Sequence, residues 1–68
     1  MSETFAVRLK RLREQKHMTP TELADASGVP RVHLYPLEKG DKRPNWETVQ
    51  KLAVALGVST DELRDETI

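Results

Sequence analysis

The sequence predicts an all-α domain of five short helices, and three observations lead there. Apolar residues recur at helical spacing rather than alternating. Thr, Asn or Ser stands at the start of four of the helical stretches, and Gly at the end of the second, third and fourth. No stretch reads as a strand, an internal repeat or a low-complexity run. With 68 residues the chain makes one domain, 1–68, with a small core.

The first helix runs from about Thr4 to Lys16, with Phe5, Leu9 and Leu12 on one face and Arg8, Lys10, Arg11 and Arg13 on the others. The second opens with Thr19-Pro20-Thr21-Glu22, where an N-cap Thr, a first-turn Pro and a Glu at the third helical position form a capping box. Leu23, Ala24 and Ser27 share its inner face, and Gly28 ends it. The third spans about Pro30 to Lys39, turns Leu34 and Leu37 inward, and is closed by Gly40. Asp41-Lys42-Arg43-Pro44 is a loop. Asn45 caps the fourth helix, whose Val49, Leu52, Ala53 and Leu56 fall on one stripe before Gly57. Ser59-Thr60-Asp61-Glu62 repeats the capping pattern for a short fifth helix anchored by Leu63, and the residues at both ends are expected to fray.

Pro36 conflicts with this pattern. It lacks the N–H that a helix beginning near Arg31 would donate to the Val32 carbonyl, a loss of about 3 kcal/mol in a helix interior. It also biases Tyr35 away from helical geometry. The sequence therefore predicts a short, kinked or partly 3₁₀ third helix.

Composition narrows the function classes. There is no cysteine, which removes disulfides, thiolate ligands and cysteine nucleophiles. Ser2, Ser27 and Ser59 lie outside any nucleophile-and-base pattern. His17 and His33 fall in separate elements, so neither catalysis, a metal nor a cofactor is expected. No apolar run approaches a membrane span and no signal peptide opens the sequence, so a soluble, cytoplasmic protein is expected. Net charge is zero but unevenly placed: residues 1–43 carry nine Lys/Arg against six acids, and residues 44–68 carry two against five. That asymmetry allows one basic face on a neutral molecule.

Leu23-Ala24-Asp25-Ala26-Ser27-Gly28-Val29 and Leu34-Tyr35-Pro36-Leu37-Glu38-Lys39-Gly40 are two short helical segments joined at a Gly-Val turn, the second ending in Glu-x-Gly. Together they resemble the helix-turn-helix of the lambda-repressor and Cro family, with the motif at about residues 20–39. The resemblance extends to Leu9-Lys10-Arg11-Leu12-Arg13, to Arg43-Pro44 with Glu47-Thr48, and to Lys51-Leu52-Ala53-x-Ala55-Leu56-Gly57-Val58 with Asp61-Glu62-Leu63. It implies a five-helix lambda-repressor-like DNA-binding domain and a sequence-specific transcriptional regulator, repressor-like, whose second motif helix enters the major groove. It further implies an ion pair between Arg13 and Glu38, tying that helix to the first. Val29, Leu34 and Leu37 would fill the wedge between helices two, three and four.

The base-reading positions implied by this resemblance are Arg31, Val32, His33 and Tyr35. Arg31 would donate to a guanine edge, Val32 would pack on a thymine methyl, His33 would reach a base or a phosphate, and Tyr35 would donate to a phosphate. Thr19 and Thr21, with open N–H groups at the start of helix two, would hold phosphates together with Lys39, Lys42 and Arg43. Trp46 either leans on the sugar-phosphate backbone or lids the edge of the core. The family commonly carries glutamine at the position of Pro20 and a polar or basic residue at that of Pro36. Double-stranded DNA is the expected partner, bound by a weak homodimer or by a dimer formed on DNA, with Val58, the fifth helix and Ile68 at the interface. The alternative is an antitoxin-like or adaptor module that keeps the fold while its DNA binding is weakened, suggested by zero net charge, Pro20, Pro36 and the acidic C-terminal third.

Overall fold

The computed structural model describes residues 4–63. Four α-helices follow one another as α1 (Phe5–Gln15), α2 (Pro20–Ser27), α3 (Arg31–Lys39) and α4 (Trp46–Leu56), and a 3₁₀ turn (Thr60–Leu63) closes the described chain.

Local chemistry sets the helix boundaries. Thr4 Oγ1 accepts from the Val7 N–H at 3.3 Å and Asn45 Oδ1 accepts from the Thr48 N–H at 2.8 Å. At α2 the capping box is complete: the Glu22 N–H donates to Thr19 Oγ1 at 3.1 Å, and the Thr19 N–H donates to Glu22 Oε1 at 2.8 Å. Each contact satisfies an N–H that a helix start leaves without an intrahelical acceptor. Gly28, Gly40 and Gly57 all take positive φ as α2, α3 and α4 end. The corresponding residue after α1 is His17, at φ 57°. There the Met18 N–H bonds the Arg13 carbonyl at 3.1 Å and the His17 N–H bonds the Glu14 carbonyl at 3.0 Å, the paired bonds of a Schellman ending.

Leu9, Leu23, Leu34, Leu37, Leu52 and Leu63 form the sealed centre, flanked by Phe5, Leu12, Ala24, Val29, Ala53 and Leu56. α3 packs principally on α1 and α2, α2 in turn packs on α4, and Leu34 and Leu37 share one core cluster with Leu52, Ala53 and Leu56 of α4. The closing turn sits against both α1 and α4, where Arg8 Nη1 donates to the Glu62 carbonyl at 3.2 Å.

Two expectations are corrected. As far as Leu63, the last described residue, the fifth element is a 3₁₀ turn rather than an α-helix, held by the Glu62 N–H on the Ser59 carbonyl at 3.2 Å. One buried leucine, Leu63, is enough to dock this turn on the core. The third helix is neither shortened nor 3₁₀ in part: α3 is continuous from Arg31 to Lys39 with Pro36 inside it. Proline removes only one bond of the ladder, and its acceptor belongs to Val32, a residue open to solvent. On either side the helix is secured. Leu34 and Leu37 are buried, the His33 and Leu34 N–H groups both reach the Pro30 carbonyl, and the Gly40 and Asp41 N–H groups both reach the Pro36 carbonyl. Ile68, expected to aid an interface, and the ends expected to fray lie outside the described residues.

Candidate nucleic-acid interface

The surface that α3 presents begins with what holds the helix in place. Arg13 is buried in α1 and meets Glu38, near the end of α3, through two bonds: Nε to Oε2 at 2.8 Å and Nη2 to Oε1 at 3.1 Å. Nη1 donates to the Met18 carbonyl at 2.8 Å, in the link between α1 and α2. One guanidinium thereby joins α1, the link that follows it and the end of α3. The side chains are only 11% and 10% exposed, so water does little to screen the pair. The Glu38 carboxylate, bonded to the Arg13 side chain, pushes the guanidinium further above its ordinary range, against the opposing effect of burial.

With its inner face committed to Leu34 and Leu37, α3 turns Arg31, Val32, His33, Tyr35 and Lys39 outward. Val32 is 73% exposed although it is aliphatic and sits in a small domain with little apolar surface to spare. Arg31, the first helical residue, reaches back across the turn, and its Nη1 donates to Thr21 Oγ1 at 2.8 Å. Two of the residues singled out from the sequence are thus bonded to each other before any ligand arrives. Arg31 makes no ion pair among the described residues, so its charge remains available.

At the start of α2 the geometry differs from the expected phosphate cradle. Pro20 has no N–H, the Thr19 N–H is taken by the Glu22 carboxylate, and the Glu22 N–H is taken by the Thr19 hydroxyl. Only the Thr21 N–H of that turn stays open, and a carboxylate stands beside it. The capping-box signature already contained this information, since the Glu of such a box folds back onto the N-cap N–H.

Beyond α3, exposed Lys42 and Arg43 lie in the loop to α4. With His33, Asn45, Thr48 and Lys51 they line a groove between the Gly28–Pro30 turn and the first turns of α4. Lys51 sits there by virtue of α4 and was not among the candidates from the sequence; its ammonium lies 3.2 Å from Glu47 one turn earlier, on the surface. Trp46 is 60% exposed at the first position of α4, which decides against its being a lid on the core.

Among the described residues no His, Asp or Glu cluster could hold a metal ion, and no helix is long and apolar enough to cross a membrane.

Comparison with known proteins shows a match of residues 9–63 to the helix-turn-helix family. An uncharacterised HTH-type transcriptional regulator of Sinorhizobium fredii is 43% identical over 60 residues, covering 84% of this chain and 78% of the relative. Among solved structures, the restriction-modification controller protein C.AhdI of Aeromonas hydrophila has a TM-score of 0.84 at 34% identity, over 87% of this chain and 89% of its own. SinR, described as the master regulator for biofilm formation and solved in complex with DNA, has a TM-score of 0.85 at 28% identity, over 88% of this chain and 97% of its own.

Proposed function

The chain belongs to the helix-turn-helix family of lambda-repressor and Cro type, and from that membership we propose that it is a sequence-specific, DNA-binding transcriptional regulator. The observation that carries the reading is α3 itself. It turns Arg31, Val32, His33 and Tyr35 to solvent while the buried Arg13–Glu38 pair locks it to α1. A helix so held can enter the major groove as a rigid body, with little orientational freedom to lose on binding.

Arg31 offers a planar fork of donors to a guanine edge, and Val32 offers methyl groups to thymine. His33 and Tyr35 reach a base or a phosphate. Thr19 and Thr21 act from one side through their hydroxyl protons, the Thr19 N–H being taken by Glu22, and Lys39, Lys42, Arg43 and the exposed ring of Trp46 act from the other. These groups position the domain on the sugar-phosphate backbone. SinR, of similar fold, was solved with DNA, which supports the same partner here. Occupying an operator in the cytoplasm without catalysing a reaction is a repressor-like mode of action.

One α3 reads too few base pairs for useful specificity, so two copies bind half-sites about one helical turn apart. The α4 and 3₁₀ side supplies their contact. Val58 is partly packed on the core there, while Val54, four residues earlier, is 81% exposed.

Selection from a random duplex pool, followed by binding measurements across a salt series, tests the reading. The expected result is an enriched two-fold site bound as a dimer, with affinity falling steeply as salt rises. No enrichment and no binding at low salt would favour an adaptor-like module instead.

A further inference from the structure

We propose that Thr21 is a positioning residue that aims Arg31, and through Arg31 sets the base preference of the domain; the proposal rests on the DNA-binding reading above. Its basis is the 2.8 Å hydrogen bond from Arg31 Nη1 to Thr21 Oγ1, made between two exposed side chains ten residues apart on different helices. An exposed arginine ordinarily samples many rotamers, and selecting one on binding costs affinity and blurs which base edge is read. Here a single acceptor fixes one corner of the fork before contact.

The geometry leaves the rest of the guanidinium free. Among the described residues only Nη1 is engaged, so Nε and Nη2 keep their donors for a guanine O6 and N7. The Thr21 hydroxyl accepts from Arg31 and retains its own proton, which it can donate to a phosphate oxygen. Thr21 stands at the second position of α2, on a scaffold set by the Thr19–Glu22 capping box, so the acceptor is itself held in place. One hydroxyl therefore links a backbone contact to a base contact. A phosphate contact alone weakens all sequences alike, whereas a contact that aims Arg31 acts on one base pair.

Thr21→Val keeps the shape and β-branching of the side chain and removes the hydroxyl. We expect it to lower the ratio of affinities for the selected site and a site changed at the Arg31 base pair by about five- to tenfold, beyond any uniform loss. Thr21→Ser should restore that ratio. In an Arg31→Ala background Thr21→Val should leave the ratio unchanged and show only the uniform loss. In the free protein, ¹⁵Nε relaxation of Arg31 should report a restrained side chain in the wild type and in Thr21→Ser, and a mobile one in Thr21→Val.

Equal weakening of both sites by Thr21→Val with Arg31 present overturns the proposal and leaves the DNA-binding reading intact. A ratio change that persists in Arg31→Ala overturns it in the same way. If the wild-type protein selects no sequence at all, the reading fails and this proposal with it, and the relaxation measurement then shows separately whether the Thr21–Arg31 bond exists in solution.

Discussion

The Arg13 guanidinium and the Glu38 carboxylate meet edge to edge, Nε on Oε2 at 2.8 Å and Nη2 on Oε1 at 3.1 Å, and so clamp the end of α3 to α1. Removing one partner strands the other charge in a site about 10% exposed, which costs about 3–5 kcal/mol. A domain of this size has roughly 3–10 kcal/mol in total, so Glu38→Ala should lose about a third or more of its stability and melt at a much lower temperature. Because burial of the pair is itself costly, Arg13→Met with Glu38→Leu should recover much of the loss in a chemical-denaturation cycle. The pH dependence follows from the sign of the Arg13 shift. Its proton affinity is raised by folding, so its contribution is complete at neutral pH and is lost only above the arginine range. The stability difference between wild type and Arg13→Met should accordingly be flat between about pH 8 and 10.

DNA contacts should separate by kind. Arg31→Ala is expected to cost about 1–3 kcal/mol on the selected site and to relax preference at one base pair. Lys42→Ala and Arg43→Ala should weaken selected and random duplexes alike, each lowering the slope of log K against log salt by about one. Equal effects of all three on both duplexes in a shift assay would show that Arg31 does not read bases.

The Glu22 carboxylate occupies the Thr19 N–H at the start of α2, where a phosphate would otherwise approach. Glu22→Gln keeps an acceptor for the capping box and removes the charge. It should lower stability by no more than about 1 kcal/mol through the helix dipole. Nonspecific DNA affinity should rise about two- to fivefold at low salt, the scale of one screened charge contact near the backbone. An unchanged Kd would place the phosphate path away from the first turn of α2.

Pro36 sits within a continuous α3, so the Val32 carbonyl lacks the N–H that any other residue at 36 would supply. Pro36→Arg restores that bond and adds a cation to the outward side of the helix. Thermal melts should show a gain of about 1–3 kcal/mol, less than the full helix-interior figure because replacing proline also loosens the unfolded chain. Affinity for random duplex should rise in parallel. A stabilised variant that still ignores DNA would favour the adaptor-like module.

His17 holds a left-handed backbone, φ 57°, without being glycine. His17→Gly should stabilise the domain by about 0.5–1 kcal/mol, the left-handed penalty less the added freedom of the unfolded chain. A measured loss of stability would mean that the imidazole makes contacts outweighing that penalty.

What the sequence determined by itself was the helix starts, the glycine endings and the apolar faces, all of which depend on neighbours within four residues. Thr4, Thr19 and Asn45 as caps, Gly28, Gly40 and Gly57 as endings, and the leucine stripes are local chemistry written in local order. The Arg13–Glu38 pair was legible only through the family resemblance, because nothing nearby in the chain indicates which of the arginines faces inward. Tertiary structure decided the rest. Local rules predicted a break at Pro36, but buried Leu34 and Leu37, with bonded turns at both ends, outweigh one missing hydrogen bond. The reach of Arg31 to Thr21 spans a turn and ten residues, and the exposure of Trp46 depends on how α4 docks, so neither has a local signature. Spacing along the chain specifies the faces of each helix, and only packing fixes which side chains on different helices come within bonding distance.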